Sequence, residues 1–166
     1  MRRELVALPW TALRRPLLLA AAAGATSVAL AACGGGGASR EEFLAKADAI
    51  CAQADAEIAA VRQPTTVEGA VEAIDRLREI SERQLADLRA LEPPAAEREK
   101  LDELFALADE QLALAIDYRD AIAQQDRDLI RELADRANRL RAEAQEGARA
   151  YGFRVCGTSD PATAAG

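Results

Sequence analysis

From residue 39 to residue 156, apolar side chains recur every three or four positions, the spacing that gathers them on one side of an α-helix. Phe43, Ala47, Ile50, Ala54, Ile58 and Val61 make the first such stripe. Ser39 precedes it with Glu42 three residues on, a capping-box pair, and Gln63-Pro64 stops it. Thr65 and Glu68 stand in the same relation ahead of Val67, Val71, Ile74, Leu77, Ile80, Leu85, Leu88 and Leu91. Pro93-Pro94 ends this second stripe, because neither proline has an N–H to donate. A third stripe starts near Ala95 and runs through Leu101, Leu104, Phe105, Ala108, Leu112, Ala115, Tyr118 and Ile122 until Gln124 and Gln125 break it. Asp126 is placed to cap a fourth, formed by Leu129, Ile130, Leu133, Ala137, Leu140, Ala144, Ala148 and Tyr151. Gly152 then suits the left-handed position past a helix end.

No stretch alternates for long enough to predict a strand. The four segments are each about 23–30 residues, roughly 35–45 Å at 1.5 Å per residue. Connections of a few residues force neighbours to run antiparallel. The pattern therefore predicts an all-α domain over 40–156, an up-down-up-down antiparallel four-helix bundle. The alternative is a three-helix bundle with the first segment as an N-terminal helical arm, and a helix-swapped dimer of long hairpins fits the same pattern. Ala47, Ala54, Ala137, Ala144 and Ala148 lie on the inner sides of the first and fourth helices, where the second and third carry leucine, isoleucine and Phe105. Small side chains there predict close approach of the first and fourth helices; the competing reading is a cavity for an apolar ligand.

Residues 1–32 follow a different pattern. Arg2, Arg3, Arg14 and Arg15 make the start basic, and the apolar run 17–30 is about 14 residues, short of the ~20 that span a bilayer. That is the profile of a signal peptide. Leu30-Ala31-Ala32-Cys33, followed at once by glycines 34–37, resembles a bacterial lipobox. The resemblance implies recognition of Leu30, Ala31 and Ala32 by a signal peptidase, cleavage before Cys33, and diacylglyceryl attachment with palmitate-type acyl chains to the Cys33 sulfur. Two acyl chains, at ~0.8 kcal/mol per methylene, suffice for stable retention on a membrane. Residues 33–39 then act as a Gly-rich tether with a root-mean-square span of ~13 Å. The expected address is the extracytoplasmic face of the cell membrane. Arg14-Arg15 also resembles part of a twin-arginine signal, although Pro16-Leu17-Leu18 departs from the usual pattern around the pair; the general secretory route is the other option.

With Cys33 committed to lipid, Cys51 and Cys156 remain. In an exported domain the expectation is a disulfide between them, the alternative being two free thiols. Residues 157–166 are small and polar and are expected to form a disordered tail. The pattern as a whole also resembles a type of small helical lipoprotein of actinobacteria. It shares the lipobox, the glycine spacer, Phe43-Leu44-Ala45-Lys46-Ala47-Asp48-Ala49-Ile50-Cys51, a mid-chain Pro-Pro, and Tyr151-Gly152-Phe153-Arg154-Val155-Cys156-Gly157. The resemblance implies an address and a cysteine pair but no activity.

Charge narrows the partners. The chain carries −7, and loss of residues 1–32 removes four arginines and one glutamate, leaving −10. Such a domain is repelled by phosphate backbones, so no nucleic-acid partner is expected. Histidine is absent, which removes the commonest general base and metal ligand and excludes a Ser-His-Asp triad. Glycines 34–37 lack the Gly-Lys-Ser/Thr of a phosphate loop. The acidic groups Glu41-Glu42, Glu97, Glu99, Asp102, Glu103 and Asp109-Glu110 read as a solvated surface with partners such as Lys46 for Glu42 and Arg139 for Asp135. On a helix, Glu99 and Glu103 share a face one turn apart, with the spacing to hold a divalent cation. No cofactor, metal or catalytic residue is expected.

Three functions are consistent with this chain: a nonenzymatic interaction or structural module of the cell envelope, a binding protein for a small apolar ligand or lipid, and a carboxylate-only enzyme. The first leads, with an envelope protein as partner and the membrane reached through Cys33. The tether at the start of the first helix also predicts that Pro93-Pro94 and Gly152 lie toward the bilayer, leaving the turns near Pro64 and Gln125 outermost.

Overall fold

The computed structural model describes residues 39–157. Leu30, Ala31, Ala32 and the expected lipidation site Cys33 lie outside the described residues, as do the residues after Gly157. The described part is all-helical: α1 (Arg40–Ala59), α2 (Val67–Arg89), a short 3-10 turn η1 (Ala95–Glu97), α3 (Arg98–Gln124) and α4 (Arg127–Tyr151).

Local chemistry sets the helix ends. The Ser39 hydroxyl accepts from the Glu42 N–H at 3.2 Å, while the Glu42 carboxylate turns to Lys46 at 2.7 Å, which holds its carboxyl below the ordinary range. The cap of α2 is Thr66, accepting from the Gly69 N–H at 3.0 Å, one residue beyond the expected Thr65. α1 stops at Ala59, short of the Gln63-Pro64 boundary read from the stripe, so Val61 falls in the connection. Asp126 caps α4 as expected, through the Leu129 N–H at 3.1 Å. α3 and α4 both end in left-handed residues, Gln125 (φ 57°) and Gly152 (φ 109°). In each, the next N–H, from Asp126 or Phe153, returns to a carbonyl of the last turn at 3.1 Å.

The helices pack in chain order, α1 on α2, α2 on α3, α3 on α4. Along the α2–α3 seam Arg119 pairs with Asp75 at 3.5 Å and Arg89 with Asp109 at 2.6 Å, so numbering falls on one helix as it rises on the other. Arg136 of α4 pairs with Glu110 of α3 at 2.7 Å. The Asp135–Arg139 pair is not formed; both side chains are exposed.

Two clusters make the core. One joins Phe43, Ala47 and Cys51 of α1 with Leu101, Ala148, Tyr151, Phe153 and Cys156; the other joins Leu114 and Ala121 of α3 with Leu133 and Leu140 of α4. Phe43 is 2% and Leu101 1% exposed, so each retains most of the ~1.5–3 kcal/mol that burying such a side chain provides. The Phe43, Tyr151 and Phe153 rings form a triad with centroids 4.9–6.3 Å apart.

The expected close approach of the first and fourth helices does not occur: no Cα of α1 lies within 8 Å of one in α4. Residues 153–157 fill the space between them. Cys156 is disulfide-bonded to Cys51 of α1, with Cα atoms 5.2 Å apart. On the other side, a Cβ added to Gly157 would stand 2.8 Å from the Ala148 Cβ and 3.4 Å from the Gln145 Cα of α4. Ala47 and Ala148 therefore make room for a returning segment rather than for a neighbouring helix.

Candidate functional site

Two polar arrangements hold the returning segment and the end of α4 that precedes it. Asp48 lies on α1, one turn before Cys51. Its carboxylate accepts from three consecutive backbone N–H groups: Arg154 at 3.1 Å, Val155 at 2.9 Å and Cys156 at 3.2 Å. Three donors converging on one ionised carboxylate are charge-assisted bonds, stronger than neutral ones. They fix the backbone of Cys156 beside Cys51. The second arrangement lies at the end of the bundle. Arg40 donates to the Tyr151 carbonyl and pairs with Glu97 at 3.0 Å, and the Tyr151 hydroxyl donates to Glu97 at 2.6 Å. Burial, then the hydrogen bond and charge of Glu97, push the Tyr151 phenol well above its ordinary value, with Arg40 opposing. This network brings the start of α1, the turn after Pro93-Pro94 and the end of α4 into one corner.

With the segment wedged at one end, the space between α2 and α4 stays open over α3 as a groove of about 580 Å³. Its lining runs from Ile74 to Leu88 on α2, Leu104 to Tyr118 on α3 and Ala134 to Ala148 on α4, so each helix contributes about 21 Å of wall. Leu77, Phe105, Leu112 and Ala115 supply apolar surface, and Cys51, Phe153, Cys156 and Gly157 close the end. Ser81, Gln84, Gln111, Asn138, Arg78 and Arg141 supply its polar groups. Many of the large apolar side chains here, among them Ile74, Leu77, Leu104, Phe105 and Leu112, are only half-buried. The volume falls in the ~300–1,000 Å³ range of small-molecule sites.

Ala137, Ala144 and Ala148 thus border a groove, the competing reading of the alanine pattern, whereas Ala47 and Ala54 are packed in the core. Sequence reasoning did not reach Asp48, Arg141 or the groove's amides. The available signals were an aspartate three residues before Cys51, and alanines on α4 opposite leucines on α2 and α3.

The acidic groups are largely paired or solvated. Asp109 and Glu110 bond Arg89 and Arg136, Glu97 faces Arg40 and Tyr151, and Glu99, Asp102 and Glu103 are exposed. Among the described residues, no group of three or more histidine, cysteine or acidic side chains is placed to hold a metal ion. No helix of the described residues is long and apolar enough to cross a membrane. No protein-family model, curated protein or solved structure matches this chain.

Proposed function

We propose that this chain is a nonenzymatic lipoprotein of the cell envelope, anchored through Cys33 on the extracytoplasmic face of the membrane, that binds a small apolar ligand or acyl chain in the α2–α3–α4 groove. The groove itself, about 580 Å³ with leucine, isoleucine, phenylalanine and alanine walls, is the observation that carries the reading. An apolar trough left half-wet by its own fold gains free energy when another apolar body covers it. At the ~0.3 kcal/mol per non-hydrogen atom of drug-sized ligands, the twelve carbons of a dodecyl chain contribute about 3.6 kcal/mol, a dissociation constant on the order of 1 mM.

The up-down-up-down topology belongs to the same reading. It would put the tether, Pro93-Pro94 and Gly152 at the membrane end, with the groove running away from the bilayer. Arg40, Glu97 and Tyr151 meeting in one corner supports that grouping of the ends. The test is binding of neutral dodecyl maltoside, followed by chemical-shift perturbation on the domain from residue 34 onward. Perturbation of groove residues, abolished by filling the groove with Ala137→Trp, is the expected result; shifts scattered over the surface or unaffected by Ala137→Trp would refute it. Anchoring is tested separately: Cys33→Ser should move the protein from the membrane to the soluble fraction.

A further inference from the structure

Resting on the groove reading, we propose that the ligand is a single-chain amphiphile with an anionic head, a long-chain fatty carboxylate, whose headgroup sits on Arg141. Two arginines line the groove. Arg78 is paired with Glu82 on its own helix, whereas Arg141 has no ion-pair partner among the described residues. The positions three and four residues to either side of it are Ala137, Asn138, Ala144 and Gln145, none of which neutralises a guanidinium. In a chain of net charge −7, whose other groove arginine is neutralised, an uncompensated positive charge beside an apolar trough complements an anion. The guanidinium fork matches a carboxylate in two parallel hydrogen bonds, and the Asn138 amide beside it can donate a further one.

The length suits an extended chain. The walls run about 21 Å along each helix, which lets a polymethylene chain lie stretched along the apolar side chains. An acyl chain lying along it would be capped at one end by the Cys51–Cys156 wedge.

The experiment compares three soluble amphiphiles with the same twelve-carbon chain: dodecanoate, neutral dodecyl maltoside and cationic dodecyltrimethylammonium, each titrated below its micelle concentration. Dodecanoate should bind one to one and roughly threefold to tenfold more tightly than dodecyl maltoside. Arg141→Gln should erase that preference, bringing dodecanoate to the affinity that the same variant shows for dodecyl maltoside, while Arg141→Lys keeps part of it. Equal affinities in wild type, a preference that survives Arg141→Gln, or tighter binding of the cation would each overturn the assignment of the head to Arg141 while the groove reading stands. Absence of binding by all three would instead bring down the groove reading itself. Binding that appears only after deletion of residues 158–166 would assign the groove to the chain's own tail and overturn the proposal.

Discussion

At the scale of single residues, the side chain that organises the most backbone is Asp48. Its carboxylate answers three N–H groups at 2.9–3.2 Å, and without it those donors would have to find water in a half-buried place. Asp48→Ala should therefore lower stability by about 2 kcal/mol, and Asp48→Asn, which keeps an acceptor but loses the charge, by about 1 kcal/mol, read from urea midpoints. The same variants should slow re-formation of the Cys51–Cys156 bond after reduction, because Cys156 is no longer held beside its partner; unchanged kinetics would argue that the clamp plays no part in pairing. Tyr151 gives a second test. Its neutral phenol is favoured by burial and by Glu97, so its folded value lies above the unfolded one. The stability drawn from this is complete below about pH 10 and is lost as pH rises beyond it. In Tyr118→Phe, which leaves Tyr151 as the sole tyrosine, ultraviolet titration should show no phenolate until above the ordinary ~10, and adding Glu97→Gln should move the onset back toward it. None of this was legible from periodicity. A helical stripe reports which side is inside, but not which polar side chain reaches across to the backbone of a segment 106 residues away.

At the scale of elements, the ends of α3 and α4 make a matched pair with opposite chemistry. Both close with a left-handed residue and a bond from the next N–H back into the last turn, yet one position is Gln125 and the other Gly152. A side chain in that conformation costs about 1 kcal/mol relative to glycine. Gln125→Gly should thus raise stability by about 0.5–1 kcal/mol. Gly152→Ala should lower it by about 1 kcal/mol or more, since the added Cβ also falls 3.2 Å from the Arg40 guanidinium. Opposite shifts in melting temperature are the expected outcome; shifts of the same sign would mean that the caps do not control these ends. Elements were the most legible level. Ser39, Asp126 and Gly152 act where the sequence put them, because each works through neighbours three or four residues away. The start of α2 moved from Thr65 to Thr66 because two adjacent threonines offer the same hydroxyl, and only the path of the incoming chain chooses between them.

At the scale of the whole molecule, one covalent link and one wedge decide what is open and what is closed. Two cysteines left in an exported domain predict the Cys51–Cys156 pair but not its consequence, because the alanines that accompany them fit a close helix contact as well as they fit an inserted segment. The structure puts residues 153–157 into that space, leaving α2 and α4 apart over α3. Removing the link therefore has two separable effects. Joining residues 105 apart restricts the unfolded chain, and in the loop-entropy model Cys51→Ser with Cys156→Ser should lower stability by about 4–5 kcal/mol, an amount comparable to that of a small domain. The second effect is on the groove, whose closed end is built from Cys51, Phe153, Cys156 and Gly157. If Asp48 alone can keep the wedge seated, the double serine variant, compared under conditions where circular dichroism shows it folded, should bind dodecyl maltoside as the wild type does. If the disulfide is what seats it, the groove should lengthen at that end, and affinity should grow with chain length beyond the point at which wild-type affinity levels off. Comparing ten-, twelve- and fourteen-carbon maltosides in the two proteins separates these outcomes. We expect the plateau to persist in the serine variant and to disappear when Asp48→Ala is added, because three charge-assisted bonds hold the segment's backbone whereas the sulfur bridge restrains only one side chain of it. Loss of the plateau in the serine variant alone would reverse that order.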